Sequence, residues 1–287
     1  MINFDKKIDN YQINSKSGVT YKDEYVCATP IIISAILTNI NTDDVSIEIA
    51  WLHKVTGETK TLVVDKKILM NKALLKQLYD KSFDISDENI AKLCKYFSYV
   101  FAKHQDDADI TKKLVTEKLG WHLVNGNLAF IPYSEEIACN PDDSLVGIKS
   151  SIYTSGSDDD WCRGMKKLQT GDCVPGKIAI SASFASSLMR FFSVDPFIVN
   201  FYGKTGIGKT LLLNIAASLW GSPELIQNSN ASTTGIEAKL KFLNSLPFLL
   251  DEIKFSDSTE KKLENLAYIF SGGKGKARGN TFGGLLA

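Results

Sequence analysis

The chain has 287 residues, 44% hydrophobic, 23% charged and 10% aromatic, with 20 Gly and 7 Pro. That is enough apolar side chain to build sizeable cores, and it excludes a wholly disordered chain or a Pro-rich fibre. The 33 basic and 33 acidic residues cancel, which excludes a globally basic surface for nucleic acid and confines any such contact to a local patch.

No stretch approaches about 18 consecutive apolar residues, so no membrane span is expected. Residues 1–10 mix Asp and Lys and lack the apolar centre of a secretory signal, so the expected address is cytoplasmic. None of the cysteines forms a C-x-x-C pair or lies near a histidine in sequence, so they read as reduced, mainly structural thiols. The only arginines are Arg163, Arg190 and Arg278, which leaves few candidates for an arginine finger.

The first twenty residues are polar and read as loosely ordered. Ile31 to Thr38 is a β-branched strand run; Val45 to Leu52 and Thr61 to Val64 form a hairpin around Thr56-Gly57-Glu58. Apolar residues recur at helical spacing over Asn71 to Tyr79 and again over Ser86 to His104, with Ser86 as the expected N-cap of the second helix. Leu119 to Pro132 reads as two short strands about Asn125-Gly126-Asn127. Ser134 to Gly156 reads as a connector, and a helix from about Trp161 follows three aspartates whose simplest role is at a helix N-terminus. Lys177 to Phe192 is a long apolar helix.

Phe197 to Tyr202 has the composition of a buried strand and leads into Gly203-Lys204-Thr205-Gly206-Ile207-Gly208-Lys209-Thr210. This is the G-x-x-x-x-G-K-[ST] phosphate loop, and a helix follows it to Leu219. Glycines let backbone amides turn onto phosphate oxygens, and the helix adds its positive N-terminal end. In that pattern Lys209 meets the β- and γ-phosphates of a nucleoside triphosphate and the Thr210 hydroxyl ligates Mg²⁺. Leu246 to Asp251 is an apolar strand ending in carboxylates: Asp251 suits a Mg²⁺ contact and Glu252 the activation of a water. Between the two halves, Leu225-Ile226-Gln227 fits a short strand. Thr234 and Glu237 then match a capping box, which makes Glu237 structural rather than catalytic. Ser258 to Phe270 reads as a further helix, followed by a glycine-rich cationic loop with Lys274, Lys276 and Arg278, which reads equally as a site for phosphates of nucleotide or nucleic acid and as a solvated, disordered tail.

The expected fold is α/β: a P-loop NTPase parallel-sheet core over 177–287, preceded by a smaller α+β accessory domain over 1–113 and a connector over 114–176.

Several stretches together resemble the uncharacterised-domain ATPase family of phages, plasmids and integrated elements, which includes the MCM-like replicative helicases of staphylococcal cassette chromosomes. They are Leu119-Gly120-Trp121-His122, Ser155 to Trp161, Ser181 to Ala185, the phosphate loop, Trp220-Gly221, Thr234 to Glu237, Leu250 to Ile253 and the loop ending at Arg278. The resemblance implies that the core is AAA+-like and belongs to an ATP- and Mg²⁺-dependent motor that assembles as a homo-oligomer, a hexameric ring, and moves on single-stranded or forked DNA. It also implies a sensor strand and helical lid beyond Ala287, so the core is expected to be incomplete. Lys274, Lys276 and Arg278 would then lie near DNA, or Arg278 would face a neighbour's nucleotide. A nucleotide-dependent regulatory or DNA-binding module without motor activity is the alternative; the Asp251-Glu252 pair disfavours a kinase.

Overall fold

A computed structural model of the chain describes residues 2–192, 194–228, 232–251, 278–279 and 285–286. In chain order come β1 (Lys6–Ile8), β2 (Tyr11–Asn14), β3 (Gly18–Tyr21), β4 (Glu24–Cys27), β5 (Ile31–Asn39), β6 (Val45–Leu52) and β7 (Thr59–Asp65). They are followed by α1 (Lys66–Met70), α2 (Lys72–Leu75), α3 (Ile90–His104), β8 (Thr111–Thr116), β9 (Gly120–Val124), β10 (Asn127–Ile131) and β11 (Ile137–Cys139). The second half holds α4 (Val146–Ser150), α5 (Asp158–Thr170), α6 (Val174–Phe192), α7 (Lys209–Ala217), β12 (Gln227–Asn228), α8 (Thr233–Leu243) and β13 (Leu250–Asp251). Two two-residue strands, β14 (Arg278–Gly279) and β15 (Leu285–Leu286), pair antiparallel. The chain divides into two units: residues 1–116 with 136–138, and residues 117–135 with 139–287.

In the first unit, β1 to β4 form an antiparallel meander, where the polar composition had suggested loose order. The reason is alternation. Ile8, Tyr11, Ile13, Val19 and Val26 are all buried, while polar residues take the turns, with Lys22 and Asp23 at positive φ. A five-stranded mixed sheet follows, in the order β11-β8-β5-β6-β7, with β5 parallel to β8 and antiparallel to β6. As its central strand, β5 buries Ile31 to Leu37 without a break, which explains the unbroken apolar run.

Helix α3 lays Ile90, Leu93, Cys94, Phe97 and Val100 into the same core, and the buried Tyr96 hydroxyl donates to the Ile31 carbonyl at 2.9 Å. Burying Phe97 alone contributes about 2–3 kcal/mol. The helix begins one turn later than Ser86 suggested: Ser86 and Asn89 exchange backbone-to-side-chain hydrogen bonds at 2.8 and 3.4 Å ahead of it.

The second unit overturns the expected parallel-sheet P-loop NTPase core. Among the described residues its only parallel pairing is β12 with β13, two residues each. Phe197 to Tyr202 forms no ladder; Phe197, Ile198 and Tyr202 are 47%, 59% and 87% exposed. A parallel strand needs both faces covered, and these side chains are not covered. The architecture is therefore mixed α/β with largely antiparallel sheets, not an AAA+-like core. The strand expected at Leu225 also gives way, to a 3-10 turn over Pro223–Leu225, with pairing starting only at Gln227.

Helix–helix packing instead organises this unit. Helix α6 lies along α7, where Ser183 donates to the Ala216 carbonyl at 2.7 Å and receives the Trp220 indole N–H at 3.0 Å. Among the described residues no helix is long and apolar enough to cross a membrane.

Candidate functional site

The 203–210 loop bends as its glycines allow. Gly203, Gly206 and Gly208 sit at φ of 149°, 86° and 93°, backbone that side chains with a Cβ rarely adopt. Gly208 is the N-cap of α7, so the first backbone N–H groups of that helix open onto the loop. The Lys209 ammonium folds back and donates to the Gly203 carbonyl at 2.9 Å and the Lys204 carbonyl at 2.8 Å. The Thr210 hydroxyl donates to Asp251 Oδ2 at 3.1 Å.

Asp251 arrives from a different part of the chain. It ends β13, where Asn228 of β12 faces it in parallel register, and β13 packs on α7. The loop, the helix N-terminus and the carboxylate strand thus meet even though the expected sheet is not formed among the described residues. Lys204, Thr205, Gly206 and Ile207 are exposed, while Gly208, Lys209 and Asp251 are partly buried. An open loop of backbone donors with an ammonium, and a hydroxyl beside a carboxylate, can receive an anion and a hard cation together.

The cap of α8 is Ser232, whose hydroxyl accepts from the Gly235 N–H at 3.1 Å; the capping box expected at Thr234 gives way to it. Glu237 lies inside α8. The aspartates before Trp161 occupy the first turn of α5, capped by Ser157, and Trp161 Nε1 donates to Ser218 Oγ at 3.3 Å, just past α7. Glu252, Lys274 and Lys276 lie outside the described residues, and Arg278 has its backbone on β14. His122 is buried, burial pushes its imidazole below the ordinary value, and its Nε2 lies 3.1 Å from the Lys118 carbonyl.

Sequence reasoning placed no function on Trp121 or on Ser187, Arg190 and Ser245, each of which hydrogen-bonds to Trp121. The signal was present only as the tryptophan in a motif.

A family model described as a domain of unknown function (DUF927) matches residues 4–286. None of the curated proteins matches the chain.

Proposed function

From the premise that the chain belongs to the DUF927 family, whose description carries no activity, we propose that the 203–210 loop binds the phosphates of ATP with Mg²⁺ and that the protein hydrolyses the nucleotide. The observation that carries this reading is the Thr210–Asp251 hydrogen bond at 3.1 Å. It brings the last residue of the phosphate loop to a strand-end carboxylate, the pair of oxygens that phosphoryl-transfer sites need side by side. The donor set fits the cation: Mg²⁺ takes one or two protein oxygens together with waters and phosphates, and hydroxyl plus carboxylate supply that. Bound there, the cation would neutralise charge on the β- and γ-phosphate oxygens.

The chain's own groups do the rest. Backbone N–H groups of the loop and of the first turn of α7 receive phosphate oxygens. Lys209 exchanges its two loop carbonyls for the β- and γ-phosphates, a move its flexible stem permits. Glu252, next in sequence after Asp251, activates the attacking water.

The motif set supports a wider setting: a cytoplasmic motor of mobile-element DNA replication that works as a ring-shaped homo-oligomer, with Lys274, Lys276 and Arg278 toward DNA. Calorimetry of ATP binding with and without Mg²⁺, followed by hydrolysis assays with and without single-stranded DNA, tests the reading. No ATP binding under either condition overturns it. Hydrolysis indifferent to any DNA replaces the motor with a nucleotide-controlled module.

A further inference from the structure

The hairpin of β9 and β10 contributes nothing to the phosphate site directly, yet it is bonded to the segments that lead into it. Toward Asp251, the Leu119 N–H donates to the Phe242 carbonyl at 2.7 Å and Asn244 Nδ2 donates to the Leu119 carbonyl at 2.9 Å. The Trp121 N–H donates to Ser245 Oγ at 3.2 Å, six residues ahead of Asp251. The approach is close enough that a methyl group on Gly120 would lie 2.6 Å from the Ser245 side chain.

Toward the loop, Trp121 Nε1 donates to the Ser187 carbonyl at 2.8 Å and Arg190 Nη1 donates to the Trp121 carbonyl at 2.7 Å. The indole also meets Phe191 edge-on at 5.3 Å. These contacts grip the C-terminal end of α6, from which the chain runs to Gly203. Toward α7, Phe130 contacts Trp121 at 4.7 Å and Trp220 at 5.9 Å, and the Tyr133 hydroxyl donates to the Trp220 carbonyl at 3.4 Å.

We infer that this hairpin is a bracket and that Trp121 is a positioning residue: it holds the run-in to the phosphate loop and the run-in to β13 in one frame, and so sets the spacing of Thr210 and Asp251 on which Mg²⁺-dependent nucleotide binding depends. The inference rests on the nucleotide reading above. A tryptophan that merely filled a core would bury its ring and leave its polar atoms to local partners. Trp121 is only half-buried, and its N–H, indole N–H and carbonyl go to three residues distant in sequence, on two segments. The phosphate loop itself is local: its bends and the Lys209 contacts are made within residues 203–210. Loosening the bracket should therefore move Asp251 relative to Thr210 and leave the loop's own hold on phosphate in place.

The test uses the full chain and two affinities, ATP in EDTA and ATP in excess Mg²⁺, with melting temperature recorded alongside. Arg190→Met removes the exposed guanidinium that fastens the Trp121 carbonyl, and Trp121→Phe keeps a ring but loses the indole donor. Both should leave the EDTA affinity as in the parent. Both should cut the gain given by Mg²⁺ by about tenfold, the lower end of what removing a support behind a metal ligand costs. Arg190→Lys, which keeps a donor, should recover most of the gain. If Trp121→Phe does not fold, the exposed Arg190 pair decides the matter. The inference is overturned if Arg190→Met keeps the parental Mg²⁺ gain, or if its two affinities fall together, as a purely structural role would make them. A parent protein that binds no ATP fails at the site reading instead, and that result is visible before any variant is made.

Discussion

The Lys209 ammonium lies 2.9 Å from the Gly203 carbonyl, so the last lysine of the phosphate loop closes onto the loop's first residue. This contact holds the ammonium over the loop and keeps its charge hydrogen-bonded. Lys209→Ala removes that charge. Loss of a charge-assisted hydrogen bond costs about 1.5–3 kcal/mol, so ATP affinity by calorimetry should fall about ten- to hundredfold. Parental affinity in this variant would dismiss the loop as the phosphate site.

Asp251→Asn keeps an oxygen for the Thr210 hydroxyl and removes the carboxylate charge. Binding in EDTA should be unchanged, whereas the enhancement by Mg²⁺ should shrink by at least about tenfold. The same pair of titrations with Thr210→Val should show the same selective loss.

Glu252→Gln keeps size and loses the proposed base. ATP should still bind, with steady-state hydrolysis lowered by at least about a hundredfold. Turnover at the parental rate would move the role to another carboxylate, and Glu237 on α8 would be tested first.

Lys274→Ala with Lys276→Ala should weaken single-stranded DNA binding by the oligomer and leave ATP affinity intact. Each lost phosphate contact should flatten the dependence of log affinity on log salt by about one unit. A salt slope identical to that of the parent would remove these lysines from the DNA path.

In the first unit, Asp9 accepts from the Tyr99 hydroxyl at 2.5 Å and faces His104 Nε2 at 2.9 Å. The Tyr99 hydrogen bond first, and His104 second, hold its carboxyl below the ordinary 3.8. A carboxylate that ionises more readily in the folded chain stabilises above its unfolded value, and it loses that contribution as pH falls through the lower, folded one. Asp9→Asn should therefore flatten the decline of melting temperature below about pH 4 and leave its shape near neutrality unchanged.

How much of this was legible in sequence depended on how local each feature is. The β6–β7 hairpin and α3 announced themselves because Val45 to Leu52 alternates and Ile90 to Phe101 recurs at helical spacing, and both patterns act between near neighbours. The bends of residues 203–210 were legible for the same reason, since Gly203, Gly206 and Gly208 permit them. Phe197 to Tyr202 was misread because an apolar run reports only a wish for burial. Whether a neighbouring strand supplies it is decided elsewhere in the chain. The first four strands were missed because each is three or four residues long and their turns carry the polar residues that dominate a composition count. The bracket around Trp121 could not be read at all: its bonds span 66 to 124 positions, and no window along the chain contains both ends.

Helix α7 begins at Lys209, and Trp220 follows just past its other end, about 13 Å of rise away, buried against Phe130. A helical rod with the proposed phosphate grip at one tip and an indole at the other is a needle on a dial. Any tilt imposed by a filling site would change the polarity around that indole. Filling of the proposed site, if it tilts α7, should therefore register in native emission, and that change should vanish in Trp220→Phe.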